Sequence, residues 1–225
     1  MPERKQISYL SVSDLVRVFI LICFLGLSVY LHAETIAIGQ FSKDDLSGWK
    51  EKIFDGETVY KIKQLEEKSV LESYSSNSAS GLFKKVEIDL RKTPFINWSW
   101  KVKDTLDMDD ERAKSGDDFS ARIYVVFSDG PFFWQTKTLN YVWANQAKVG
   151  DHWSNPYTKN AQMLAIQTGN QHSDQWQMER RNVLEDIQTI FGKSVKEIKA
   201  IAIMTDTDQT DATAQAWFCD IWFSD

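Results

Sequence analysis

The chain has 225 residues, with 26 Lys and Arg against 32 Asp and Glu and a formal net charge of −6. An acidic chain lacking a basic stripe with interleaved aromatics repels a polyanion, which excludes nucleic acid as a ligand class. With 2 cysteines and 9 tryptophans, stability must come from burial of aromatic surface and not from a disulfide framework.

At the start, Arg4, Lys5 and Arg17 precede an apolar run from Val18 to Leu31. The run fits the ~7–15 residue core of a secretory signal and falls short of the ~20 residues that span a bilayer. Cleavage is expected after Ala33; the alternative is an uncleaved N-terminal anchor, and only then is a membrane a partner. Ile22 before Cys23 is too bulky for a lipidation box. Without residues 1–33 the chain loses three basic and two acidic side chains, leaving 23 basic against 30 acidic and Cys219 as its one cysteine. The expected compartment is periplasmic or extracellular, with residues 34–225 forming a single domain.

Period-two alternation then recurs along the chain. Runs at 57–64, 69–74, 82–90, 95–102, 121–127, 138–144, 162–168, 197–205 and 214–223 read as strands. In one of them Ala121, Ile123, Val125 and Phe127 share a face opposite Arg122 and Tyr124. Turn chemistry separates the runs at Asp55-Gly56, Asn77-Ser78, Asp129-Gly130-Pro131 and Thr168-Gly169-Asn170. Residues 176–182 read as a strand of alternating charge that feeds the one convincing helix, Val183 to Phe191, capped by Asn182 and stopped by Gly192. A further turn of helix is expected within Asp107 to Lys114. Many short strands with one helix predict an all-β antiparallel sandwich of jelly-roll, galactose-binding-like type.

Several chemistries fall away. The chain carries no Gly-rich phosphate loop, no Gly-x-Ser-x-Gly elbow and no His-Glu-x-x-His. His152 and His172 lack a cysteine partner nearby, which disfavours zinc. Ser47 to Lys50 matches Ser-x-x-Lys but reads as loop into strand, and Asn97-Trp98-Ser99 matches a glycosylation acceptor in mid-strand. Asp107-Met108-Asp109-Asp110-Glu111 and Asp206 through Asp211 space oxygens as calcium loops do, yet Arg112 and Asp211 occupy the places where an EF-hand needs glycine. A structural calcium of another kind stays open beside solvated or turn-capping acids. No other cofactor is expected.

The candidate ligand-binding residues are Asp117, Asp118, Arg122, Tyr124, Trp143, Asn155, Tyr157, Glu179, Arg181, Asp206 and Asp208. An unpaired guanidinium in an apolar strand is costly to bury, so Arg122 must meet a carboxylate, Asp118 or Asp206, or face a wet groove. Glu179 and Arg181 share a strand face, and Thr205-Asp206-Thr207-Asp208 forms either a turn or an oxygen-rich rim. Tyr157 in Asn155-Pro156-Tyr157-Thr158 reads as a lid or anchor. Trp98, Trp100, Trp217 and Trp222 are expected in the core. Trp134, Trp143 and Trp153, near loops with amide neighbours, are the candidate platforms for a pyranose face.

These residues resemble an exported bacterial family of unknown function, the one numbered 3047. The likeness runs through Phe41-Ser42, Gly48-Trp49, Gly116-Asp117-Asp118-Phe119 with Arg122-Ile123-Tyr124-Val125, Tyr141-Val142-Trp143, Asn155-Pro156-Tyr157-Thr158, Glu179-Arg180-Arg181-Asn182-Val183, Phe191-Gly192 and Met204 to Asp208. It implies the unit and the compartment, and it brings no activity. A looser similarity, in Phe41 to Trp49 and in Trp217-Phe218-Cys219-Asp220-Ile221-Trp222-Phe223, is to jelly-roll carbohydrate-binding modules. That analogy implies a structural calcium on Asp44, Asp45 or Asp220. The expected function is an exported, non-catalytic binding module for a glycan or other polar cell-envelope component. One alternative is a polysaccharide hydrolase using two of Asp118, Glu179, Asp206 and Asp208, which needs two carboxyls roughly 5–9.5 Å apart. The other is a structural or assembly protein without a small ligand. No residue is assigned a catalytic role.

Overall fold

A computed structural model describes residues 34–128, 130 and 135–225. The expected export segment and the cut expected after Ala33, the turn residues Asp129 and Pro131, and Trp134 lie outside the described residues.

Among the described residues, alternating apolar positions produce fourteen strands in two sheets. The first sheet holds β1 (Thr35–Gly39), β14 (Ile221–Ser224), β6 (Phe95–Val102), β13 (Thr213–Phe218), β4 (Lys68–Ser76) and β3 (Val59–Leu65) in that order, with β11 (Gln177–Asn182) pairing β6. The second runs β2 (Trp49–Asp55), β5 (Ala79–Asp89), β12 (Glu197–Asp206), β7 (Arg122–Ser128), β8 (Thr136–Ala144), β10 (Ala161–Thr168) and β9 (His152–Ser154). The architecture is the expected jelly-roll sandwich. Its ladders among the described residues are antiparallel except β8–β10, which is parallel. Parallel neighbours need a connection of about a dozen residues or more. Residues 145–160 supply it and carry β9, which pairs antiparallel with β10.

The run read as one strand over 214–223 is two. Cys219 and Asp220 interrupt it, although the Cys219 N–H still reaches the Ser99 carbonyl at 2.9 Å. β13 and β14 therefore follow the same edge of β6 and hand over from β4 to β1 as second neighbour. Cys219 is half-buried, and burial pushes its thiol up, as suits an inert hydrophobe. No helix forms within 107–113; a 3-10 turn begins only at Lys114.

The faces that meet are aromatic. Trp98 and Trp100 of β6 stand against Tyr141 and Trp143 of β8, with ring centroids 5.3 Å apart for Trp98–Tyr141 and 5.9 Å for Trp100–Trp143. All four side chains are fully buried. The helix α1 (Val183–Phe191) closes one end. Asn182 accepts from the Glu185 N–H at 3.2 Å, and Val183 and Ile187 face the core. Gly192 ends α1 with φ of 66°, a left-handed conformation that costs a side-chain-bearing residue more. Tyr141 Oη donates to Asp186 at 2.9 Å, which ties the helix to β8.

A second, smaller core lies on the outer face of the second sheet. It gathers Phe119, Val142, Ala144, Ala147, Trp153, Met163 and Ala165 under the crossover. The buried Glu111 holds that crossover: its carboxylate accepts backbone N–H groups from Asn145 at 2.6 Å, Gln146 at 3.1 Å and Ala147. One end of the outer face is thereby covered. The other stays open.

Candidate functional site

β7 organises the site, because its outward residues are Arg122, Tyr124 and Val126 while Ile123, Val125 and Phe127 enter the core. Arg122 is 3 % exposed. Its Nε donates to Asp206 Oδ1 at 2.9 Å, its Nη2 pairs with Asp206 Oδ2, and its Nη1 lies 3.3 Å from Asp117 Oδ1. Nη2 also donates to the Asp117 carbonyl at 2.5 Å, and the guanidinium stacks over Phe119. The buried cation has thus found a carboxylate, Asp206.

Gly116 positions this motif. A Cβ there would run into the Asp110 backbone, so the chain can pass close enough to turn Asp117 and Asp118 inward only without one. Asp117 Oδ2 accepts from Asn155 Nδ2 at 2.7 Å, and Asn155 Oδ1 accepts from the Tyr157 N–H at 3.0 Å. Tyr157 is 54 % exposed and donates to Gln209 Oε1 at 2.7 Å, so it anchors its loop across the cluster. Asp118 Oδ2 accepts from the Gln209 and Thr210 N–H groups at 3.0 and 2.7 Å and from Thr210 Oγ1 at 2.8 Å. Burial, which the Thr210 bonds and Arg122 only partly offset, holds the Asp118 carboxyl above the usual range.

The Thr-Asp-Thr-Asp stretch resolves by strand period. Asp206 and Asp208 turn toward Asp118, with carboxylate oxygens of the three within 4.8 Å of one another. Thr205 and Thr207 turn the other way into a buried hydroxyl network. Ser73 and Thr205 hydroxyls lie 2.7 Å apart, and those of Ser75 and Thr207 lie 2.8 Å apart. Thr58 Oγ1 donates to the Thr205 carbonyl at 3.0 Å.

Eight of the eleven expected residues therefore meet: Asp117, Asp118, Arg122, Tyr124, Asn155, Tyr157, Asp206 and Asp208. Three do not. Trp143 is fully buried in the main core, its Nε1 donating to the Gly169 carbonyl at 3.1 Å, so it is no exposed platform. Trp153, a candidate platform outside those eleven, is likewise 8 % exposed and packs in the smaller core. Glu179 accepts from Trp100 Nε1 at 3.2 Å and Gln167 Nε2 at 2.8 Å, and burial raises its carboxyl above the ordinary value. Arg181 pairs with Asp186 across the start of α1, its Nε bond measuring 3.0 Å. Of the calcium ligands expected near the chain ends, Asp220 and Asp45 are engaged by other groups. Asp220 takes the Ser42 N–H at 2.8 Å and hydroxyl at 2.6 Å, while Asp45 takes the Ser47 N–H at 2.7 Å. In the 107–111 loop, Asp110 caps a turn through the Arg112 N–H and Glu111 is committed to the crossover.

From Tyr124 the open part of the same face continues as a groove of about 940 Å³. Gly81, Ala200, Ala202 and Val126 contribute little bulk along β5, β12 and β7, and Phe54, Phe83, Tyr124 and Met204 supply apolar walls. Thr136 and Thr138 bring hydroxyls; Lys52, Lys85, Lys199 and Glu87 bring charge. Lys199 pairs with Glu197 and Lys52 sits 4.7 Å over Phe54, whereas Lys85 makes no ion pair among the described residues. Sequence reading missed this groove. Its trace was the small outward residues Ala200 and Ala202 alternating with Ile201 and Ile203.

Fold and site together define a β-sandwich with a buried acidic cluster at one end of an open, lysine-edged groove. The chain belongs to the family described as Protein of unknown function (DUF3047), whose model matches residues 47–222. No curated protein matches it. Among solved structures it is similar to TmCBM61 in complex with β-1,4-galactotriose, at 9 % identity and TM-score 0.40 over 83 % of this chain and 94 % of that one. It is also similar to the xyloglucanase domain of NopAA, a type three effector from Sinorhizobium fredii, in complex with cellobiose: 6 % identity, TM-score 0.45, 79 % of this chain and 93 % of that one. A third is Trichoderma harzianum endoglucanase 3 from family GH12, at 7 % identity and TM-score 0.43 over 88 % of this chain and 99 % of that one. Likeness at this level assigns no function.

Proposed function

We propose that this protein is an exported, non-catalytic binding module that holds a glycan carrying acidic groups in the groove of the second sheet. The observation that carries the reading is the groove itself, about 940 Å³ of concave surface walled by Phe54, Phe83 and Tyr124 and edged by three lysines. Ligand sites commonly enclose ~300–1,000 Å³ with few polar groups among apolar walls. A pyranose offers an apolar face to such rings and hydroxyls to Thr136 and Thr138. Three lysines against Glu87, on a chain of net charge −6, select anionic substituents such as uronate or phosphate. Catalysis draws less support. Glu87 is the one carboxylate lining the groove among the described residues, and double-displacement or inverting hydrolysis needs two. Asp118 and Asp206 are buried and do not line the groove.

The test is isothermal titration of the full chain against acidic and neutral cell-envelope polysaccharides, with Ala202→Trp filling the groove and Lys85→Glu reversing its free charge. The expected result is binding to acidic polymers that weakens with salt, is lost in A202W, and falls roughly tenfold in K85E, the loss of about one phosphate- or carboxylate-scale contact. A folded protein silent across the panel, or binding untouched by A202W, overturns the reading.

A further inference from the structure

The acidic cluster is out of charge balance. Asp117, Asp118, Asp206 and Asp208 face a single guanidinium, and Arg122 is the only cation bonded to any of them among the described residues. Asp117, Asp118 and Asp206 are buried at 7 %, 0 % and 2 % exposure. The three buried carboxylates against one arginine leave a surplus of two negative charges away from solvent, the half-buried Asp208 adds a third at the edge, and an unpaired buried charge costs several kcal/mol.

The lone pairs show where the surplus points. Asp118 Oδ2 already accepts three hydrogen bonds, from Gln209 N, Thr210 N and Thr210 Oγ1. Its Oδ1 is fully buried and has no hydrogen-bond partner among the described residues. Buried carboxylate oxygens are normally satisfied, so an orphan in this position requires an explanation. Asp206 Oδ1 is filled by the Phe119 N–H and Arg122 Nε, while Oδ2 meets only Arg122 Nη2 and keeps a lone pair. Asp208 Oδ2 accepts from the neighbouring Gln209 side chain at 2.6 Å, leaving Oδ1 open. Asp118, Asp206 and Asp208 hold carboxylate oxygens within 4.8 Å of one another, close enough to share one ion. Asp208 is half-buried and gives the site its access to water.

We propose that Asp118, Asp206 and Asp208 form a binding site for a hard divalent cation, calcium, which fastens the loop entering β7 to the loop leaving β12. All three donors are carboxylate oxygens, which suits calcium and disfavours metals that want imidazole or thiolate. Water and carbonyls complete the six to eight oxygens calcium takes. The two added charges offset most of the surplus that Arg122 leaves. This site is independent of the groove, so either proposal can fail alone.

The experiment strips the full chain with EDTA, then titrates CaCl₂ while following heat and thermal unfolding, with MgCl₂ and an ionic-strength-matched NaCl series beside it. The expected outcome is saturable binding of one calcium per chain, half-complete at or below about 1 mM, the range of extracellular calcium modules, with a matching rise in Tm. Asp208→Asn, which leaves the Arg122 pair intact, should weaken calcium at least about tenfold by removing one charged ligand without altering the circular dichroism spectrum. Asp220→Asn should leave calcium binding unchanged. The proposal is overturned by wild-type protein that shows no saturable response up to about 10 mM, by a D208N titration that matches wild type, or by loss of the response in D220N.

Discussion

Removing the Asp206 carboxylate should expose what the Arg122 pair contributes. Both side chains are 3 % exposed, so Asp206→Ala strands a guanidinium where water cannot reach it. Breaking a buried pair from one side costs about 3–5 kcal/mol. Two details set the value within that range. Asp117 still offers its carbonyl at 2.5 Å and a carboxylate oxygen at 3.3 Å, which lowers the cost. The Phe119 N–H loses its 3.2 Å acceptor, which adds to it by about 1 kcal/mol. The expected destabilisation is about 4 kcal/mol. For a domain of this size that is roughly 8–16 °C in Tm. Urea unfolding of the full chain in EDTA, monitored by tryptophan fluorescence, reads it directly. The double variant Arg122→Met with Asp206→Leu removes the stranded guanidinium and should recover part of the loss, the remainder being the cost of leaving buried Asp117 without its cation. A single variant within about 1 kcal/mol of wild type, or a double variant weaker than the single, would refute this account of Arg122.

The other expectations concern carboxylates outside the acidic cluster. Glu72 on β4 is 2 % exposed; burial works to raise its carboxyl, but bonds from Lys63 at 2.6 Å, Lys61 at 3.2 Å and Trp217 Nε1 at 3.1 Å outweigh it and hold the value below the ordinary range. A depressed folded value means the stabilisation is present above the unfolded carboxylate's pKa and lost as pH falls through the folded one. Wild type should therefore lose stability on acidification more steeply than Glu72→Gln, as acid-series urea midpoints will show; parallel curves would contradict it. Glu111→Ala should cost about 3 kcal/mol, because hydrogen bonds from backbone N–H groups to a buried charge are worth ~1.5–3 kcal/mol together with the desolvation left behind. Hydrogen exchange should quicken at the amides of Asn145, Gln146 and Ala147, and unchanged protection there would count against the anchoring role.

Much of the fold was legible because strand geometry writes a period of two into the chain. Arg122, Tyr124 and Val126 face outward for the same reason that Ile123, Val125 and Phe127 face inward. The helix announced itself through Asn182, its apolar face and Gly192, all local signals. The short edge strand β9 and the parallel β8–β10 ladder were not legible, since pairing partners are chosen by distant segments. Trp143 misled because a loop-like neighbourhood of Asn and Gln says nothing about depth, and only the packing of Trp100 against it fixes that depth.

Sequence alone settled the alternation, the turn residues and the suite of acids around Arg122, because each of these is a property of neighbours along the chain. Tertiary structure decided which acids share a site. Residues 117 and 118 lie about ninety positions from 206 and 208, and it is the pairing of β7 with β12 that brings them together. The same pairing sets Ala200, Ala202 and Tyr124 side by side in one groove, a surface made by five strands that no single one of them could specify.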